Sequence, residues 1–346
     1  MTASIASLPQ PAIPVSTNIS IASPSYRGSD GTNCNNSASV FSTATGNSIS
    51  IGLNKYIDYS IGAASVVGQG VSVLIYNPDP AYYIEAPQYT GSATPVSPSL
   101  MTCQLGVDLA MLQHAVAKGL KIYLSPSAMG STWTACGLTV GDPSSMTLAN
   151  IEACVIPMIT AMIQYLQANG VPISLMNAVH EPSGVFQNET GITLSAADWT
   201  SLTNAACLAV YGVAPTMPCG AGFSIGDAAT YIPNFITNHS SHVKVIGLET
   251  YGTVSPQNYA MNMNTMVGYC QTAITAGMIC HNTEGDPPRF VPATAPNASE
   301  LNAVYGCAAP IWQTWGVNTQ WPAVMTKYLA ANGFSSATKF TSQPFV

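Results

Sequence analysis

Seven glutamates occur in the 346 residues: Glu85, Glu152, Glu181, Glu189, Glu249, Glu284 and Glu300. Three of them, Glu181, Glu249 and Glu284, stand directly after short runs rich in β-branched residues. A carboxyl at the end of a strand can act as a proton donor, a base or a nucleophile, depending on how its surroundings set its ionisation. Cleavage of a glycosidic bond needs two such groups. One protonates the leaving oxygen and the other attacks the anomeric carbon or activates water. Glu181 and Glu284 are the candidate catalytic pair. Glu249 is a third carboxyl with two readings: one that tunes the pair or binds a substrate hydroxyl, or a solvated strand end. The competing structural uses are a helix-start carboxylate for Glu181, with Pro182 in the first turn, and a loop acid near Arg289 for Glu284.

The elements that must position these residues alternate between strand-like and helix-like patterns. Val71–Tyr76, Leu120–Ser125, Pro172–Val179, Gly222–Ile225, Val243–Leu248, Met278–His281 and Ala337–Thr341 read as strands. Leu105–Gly119, Thr147–Asn169, Ala196–Val210, Asn258–Ala276 and Trp321–Asn332 read as helices, and a loop carries Trp133 and Cys136. Such alternation predicts parallel βα units. The 103 residues from Glu181 to Glu284 are three units of about 34, a spacing that suits consecutive turns of one (β/α)8 barrel. Strand C-termini form the face on which barrel enzymes do chemistry. The runner-up is a doubly wound open sheet, weakened because no early strand is followed by a Gly-rich phosphate turn. The expected organisation is a Pro/Ser/Ala-rich strap over residues 1–17 and one catalytic barrel over 18–346.

Three segments resemble clan A glycoside hydrolases. Gly170–Ser183 (GVPISLMNAVHEPS) resembles their fourth strand, which carries the acid/base in an Asn-Glu-Pro motif. Met278–Gly285 (MICHNTEG) is similar to their seventh strand, which carries the nucleophile. Leu124–Trp133 (LSPSAMGSTW) resembles a third-strand Ser-Pro loop of family 30. The resemblance covers roughly residues 100–290 and implies Glu181 as acid/base, Glu284 as nucleophile and an endo-acting, retaining glycosidase of the family 30 or family 5 kind. It also implies that Tyr251 hydrogen-bonds the nucleophile. The sequence departs from the clan in having His180 where Asn usually contacts the sugar 2-hydroxyl, as family 26 also does. It departs again in having Glu249 where His is frequent.

The remaining substrate-binding candidates are Tyr76, Asn77 and Asn282 near strand ends, and Trp133, Trp312 and Trp315 as platforms for the apolar faces of sugar rings. Trp321 is a further platform of this kind, Tyr82 and Tyr83 follow the second strand as cleft-lining candidates, and Arg27 could hold the nucleophile ionised or be a surface residue near a turn at Asp30. His180, Glu181, His281 and Glu284 could be read as a metal set. Strand alternation separates His281 from its neighbours, so the expectation is no metal and no cofactor. A Ser-His-Asp esterase is disfavoured because no G-x-S-x-G elbow occurs. A non-catalytic glycan-binding barrel would have no need of both Glu181 and Glu284.

Composition narrows the setting. Charged residues are 7% of the chain and the net charge is -7, against about 25% charged residues in an ordinary soluble domain. Eight scattered basic residues form no patch for a phosphate backbone, so nucleic acid is excluded as an expected partner. No stretch approaches ~18 uninterrupted apolar residues, so no membrane partner is expected. The expected partner is a polysaccharide or oligosaccharide, met by a monomer. A surface so poor in charge accumulates little repulsion in acid, which fits acid tolerance, or it is simply the neutral, Ser/Thr-rich surface of a secreted chain. Nine cysteines predict an oxidising compartment with four disulfides and one free thiol, Cys207 with Cys219 being the most plausible pair. Sequons at Asn18, Asn35, Asn188, Asn238 and Asn297 fit a secreted chain. Met1 and the polar stretch after it read as a mature start from which a leader has been removed.

Overall fold

The computed structural model describes residues 18–22, 57, 70–78, 109–127, 130–250, 265, 268–270 and 272–285. Among the described residues, seven strands lie in one parallel sheet in chain order: β1 Asn18–Ala22, β2 Gly70–Tyr76, β3 Lys121–Leu124, β4 Ile173–His180, β5 Cys219–Phe223, β6 Val243–Thr250 and β7 Ile279–Gly285. Every neighbouring pair is parallel. The two ends of the series, β1 and β7, also approach one another. The sheet therefore curls round on itself, with helices in the crossovers.

Two apolar layers follow from strand alternation. Ile75, Tyr123, Leu175 and Val245 fill the inside of the barrel, one each from β2, β3, β4 and β6. Their neighbours Leu74, Ile122, Leu124, Met176, Ile246 and Leu248 point outward and join the larger core beneath the helices. That core includes the helix Leu148–Ala168 (α3), which follows α1 at 109–117 and α2 at Gly130–Ala135. Thr147 caps α3 by accepting from Asn150 N at 3.3 Å. The helix stops before Gly170, whose φ of +77° a residue with a Cβ rarely adopts. In length and composition α3 would suit a membrane span. Here its apolar face, including Ile151, Met158, Met162 and Leu166, is instead buried against the rest of the core. A short helix, Gln187–Thr190 (α4), precedes α5, Ala196–Val213, which packs on α3 and on Ile232–Asn238 (α6).

Most expected strands and helices are present, with informative shifts. β1 was not expected, because five residues of Asn-Ile-Ser-Ile-Ala carry too little apolar run to stand out. β5 lies at Cys219–Phe223 rather than at 222–225. Its glycines disguise it, since glycine is depleted in strands. The structure requires them: a Cβ on Gly220 would overlap the carbonyl of Val245 on β6. Trp133 lies on a short helix, not in a loop. The 258–276 helix is described at its C-terminal end, where residues 272–275 are helical. The strap over 1–17, the helix at 321–332 and the strand at 337–341 fall outside the described residues. Described disulfides join Cys136 to Cys154, Cys207 to Cys219 and Cys270 to Cys280.

Candidate active site

Two irregularities of register lift the candidate residues into place. On β4 the pairing passes from Asn177↔Gly220 to Val179↔Ala221, so Ala178 is an extra residue and His180 comes level with Gly222. On β7 it passes from Leu248↔Asn282 to Glu249↔Glu284, so Thr283 is extra and Glu284 comes level with Glu249. Each irregularity resets the two-residue alternation just before a candidate carboxyl, a common use of bulges beside active sites. Glu181, Glu249 and Glu284 thus occupy the C-terminal ends of β4, β6 and β7, on one mouth of the barrel.

His180, Glu181 and Glu249 are all buried. His180 Nδ1 lies 3.1 Å from Ser125 Oγ and 3.3 Å from Glu249 Oε1. Asn177 Nδ2 donates to Ser125 Oγ at 3.4 Å, and Tyr123 Oη donates to Asn177 Oδ1 at 2.6 Å. A polar chain therefore runs from the barrel interior to its mouth. Burial pushes the His180 imidazole below its ordinary value of 6.5, against the pull of the Glu181 and Asp227 carboxylates. Burial therefore favours the neutral ring. A proton on Nδ1, facing the acceptor Glu249, leaves Nε2 as a hydrogen-bond acceptor. Gly222 makes the room for this: a Cβ there would sit 2.8 Å from Asn177 Nδ2 and 3.0 Å from His180 Nδ1.

Glu181 is the one non-glycine residue with positive φ among the described residues, at φ 43° and ψ 86°. A conformation of this kind costs about 1–3 kcal/mol and persists only where the surroundings enforce it. Here Glu181 N donates to Gly222 O at 3.0 Å, and Phe186 N donates back to Glu181 O at 3.0 Å. Pro182–Phe186 forms one π-helical turn between them. The Glu181 carboxylate lies over Gly184, where a Cβ would come 2.5 Å from Oε2. Phe186 anchors the turn in the core, edge-on to Trp133 at 5.7 Å and to Trp199 at 5.5 Å.

That packing corrects two expectations. Trp133 is 1% exposed, its ring committed to Phe186, so it offers no face to a sugar. Tyr76 is likewise buried, on the outward side of β2 beneath the helices and not in the cleft, because β2 alternates and Ile75 takes the inward position. Asn77 follows β2 and is partly buried. Asn282 is the register partner of Leu248. Tyr251, Trp312, Trp315, Trp321, Tyr82, Tyr83 and Arg27 lie outside the described residues.

Sequence reasoning missed Ser125, Asn177 and Asp227, all fully buried. The usable signal for the first two was a lone polar residue inside an apolar strand run. His180, Glu181 and Glu249 bring three potential ligand atoms within 4.8 Å of one another. Donors around a tetrahedral zinc stand about 3.3 Å apart, so this set would have to contract to hold such an ion. It also differs from the metal set considered from the sequence.

No protein-family profile matches the chain, and no curated protein resembles it in sequence. Solved structures do resemble it. A hyperthermostable endo-1,4-β-D-mannanase from Thermotoga petrophila RKU-1 superposes with a TM-score of 0.50 at 11% identity, covering 93% of this chain and 87% of that one. The chain is a (β/α)8 barrel. A GH53 catalytic domain from Ignisphaera aggregans gives a TM-score of 0.48 at 13% identity over 94% of this chain and 84% of that one. The GH26 β-mannanase from Bacteroides ovatus gives 0.44 at 11% identity over 79% and 84%.

Proposed function

We propose that the chain is a secreted, retaining glycoside hydrolase of the clan A kind, acting on a β-linked polysaccharide of the glucan, xylan or mannan type. One observation supports this reading: Glu181 directly follows β4 and Glu284 lies at the end of β7 in one parallel sheet, with a register shift near the end of each strand. In the reaction, the Glu284 carboxylate attacks the anomeric carbon. The bond to the leaving oxygen breaks as Glu181 gives that oxygen its proton. Glu181 then takes a proton from water, the water oxygen attacks the same carbon, and Glu284 is released. His180 Nε2 accepts from a substrate hydroxyl. No metal or cofactor takes part. The disulfides suit an oxidising compartment, and release of internal fragments from polysaccharide would mark endo action.

The test is a screen of β-glucans, xylan, mannan and galactan at acidic and neutral pH, with product stereochemistry followed by NMR. The first product should keep the β configuration. Glu181→Ala should lower turnover by about 10²–10⁴-fold. Glu284→Gln should abolish it with the melting temperature unchanged. Inverted product, or wild-type turnover by Glu284→Gln, would exclude the assignment.

A further inference from the structure

Asp227 is fully buried and lies outside the carboxyl set described above. Its Oδ1 accepts from Ser183 N at 2.9 Å and from Ser183 Oγ in a shorter hydrogen bond. Its Oδ2 accepts from Ser224 N at 2.9 Å and from Ser224 Oγ at 3.0 Å. Ser183 is two residues beyond Glu181, and Ser224 is the first residue after β5. One carboxylate therefore spans the mouth ends of two neighbouring strands. Four donors around one ion are what a buried carboxylate needs to replace its lost water. Asp227 is itself set in place by the turn it closes, with Tyr231 N donating to its carbonyl at 2.9 Å.

The strained Glu181 backbone needs restraint from both sides. On the N-terminal side β4 supplies it, through the ladder and the bond from Glu181 N to Gly222 O. On the C-terminal side Pro182 has no N–H to give, so the first amide able to fix the turn is that of Ser183. Asp227 holds that amide. We infer that Asp227 is a positioning residue, which fixes the turn after β4 and so aims the Glu181 carboxyl at the leaving oxygen. This rests on the assignment of Glu181 as acid/base.

Two measurements on the full chain test it, each with Asp227→Asn and with the milder Ser183→Ala, which removes one hydroxyl donor. The first is amide hydrogen exchange, which needs no substrate. Exchange over 181–187 should accelerate about tenfold or more in Asp227→Asn, while α3 stays unchanged, because local opening follows local restraint. The second compares kcat/KM for phenyl and 2,4-dinitrophenyl β-glycosides of the sugar that the wild type accepts. A dinitrophenolate leaves without a proton, so only the phenyl substrate depends on an aimed acid. Asp227→Asn should lose about 10²-fold on the phenyl glycoside and stay within about threefold on the dinitrophenyl one. Ser183→Ala should show the same contrast at about tenfold, and it decides the matter if Asp227→Asn does not fold. Equal losses on both substrates, or unchanged exchange over 181–187, would overturn the role. A wild type inactive on every glycoside would instead overturn the glycosidase reading, whereas an active wild type with an unimpaired Asp227→Asn overturns this inference alone.

Discussion

His180 shows how burial and hydrogen bonding together set the state of a single residue. Its ring is enclosed, and enclosure disfavours the imidazolium even with Glu181 and Asp227 nearby. The unfolded chain takes up a proton as pH falls below 6.5, whereas the folded chain resists it. The stability contributed by the neutral ring is therefore complete above 6.5 and is lost as pH falls from 6.5 through the lower folded value. His180→Asn, which cannot titrate, should flatten the dependence of melting temperature on pH over this window. Thermal melts of both proteins from about pH 7 to about pH 5 would check it; parallel curves would mean that the ring does not resist protonation.

Among the elements, β4 and β5 pack on each other and on the helix α5 between them. The disulfide from Cys207 on α5 to Cys219 at the start of β5 closes a sequence separation of 12 residues. Both sulfurs are in the core, and β5 is the strand whose Gly220 and Gly222 admit Val245 and His180 so closely. Such a loop closure stabilises by about 3 kcal/mol. Replacing both cysteines by Ala should lower unfolding stability by roughly that amount in urea titrations. The turnover proposed above should persist at room temperature, because neither sulfur reaches the mouth. Tenfold loss of turnover at unchanged fold would show that the bond also sets the geometry of the site.

At the scale of the molecule, the scarcity of charge is the property with the widest consequence. Acid unfolds proteins chiefly by protonating carboxylates that are better held in the folded state. The whole chain has 15 acidic residues and 8 basic ones. Asp142 is one held carboxylate: hydrogen bonds from the Ser144 hydroxyl and amide keep it below its ordinary 3.8. Its contribution is present above 3.8 and is lost only as pH falls through the lower folded value. With few such groups, and His180 acting between 6.5 and its folded value, the fold should survive to about pH 3. Circular dichroism on acid titration would check this; cooperative unfolding well above that pH would contradict it.

The sequence carries the barrel's βα rhythm, most strand and helix positions and the strand-end placement of Glu181, Glu249 and Glu284, and it favours the Cys207–Cys219 pair that the fold contains. These are local properties: hydrophobic period, glycine stops and the order of residues along a strand. It misplaced β5, because glycine's lack of a Cβ reads as weak strand propensity while its real use is room for a neighbouring strand and for His180. It offered Trp133 and Tyr76 as cleft residues, because an aromatic ring serves a core and a sugar equally well and only the fold says which side it faces. Asp227 was invisible for the same reason. Its donors come from two different strand ends, 44 and 3 residues away, and no pattern along the chain marks a carboxylate whose partners meet only in three dimensions. Only the assembled sheet fixes the register shifts that bring His180 level with Gly222 and Glu284 level with Glu249, since a bulge is a relation between two strands and not a property of either.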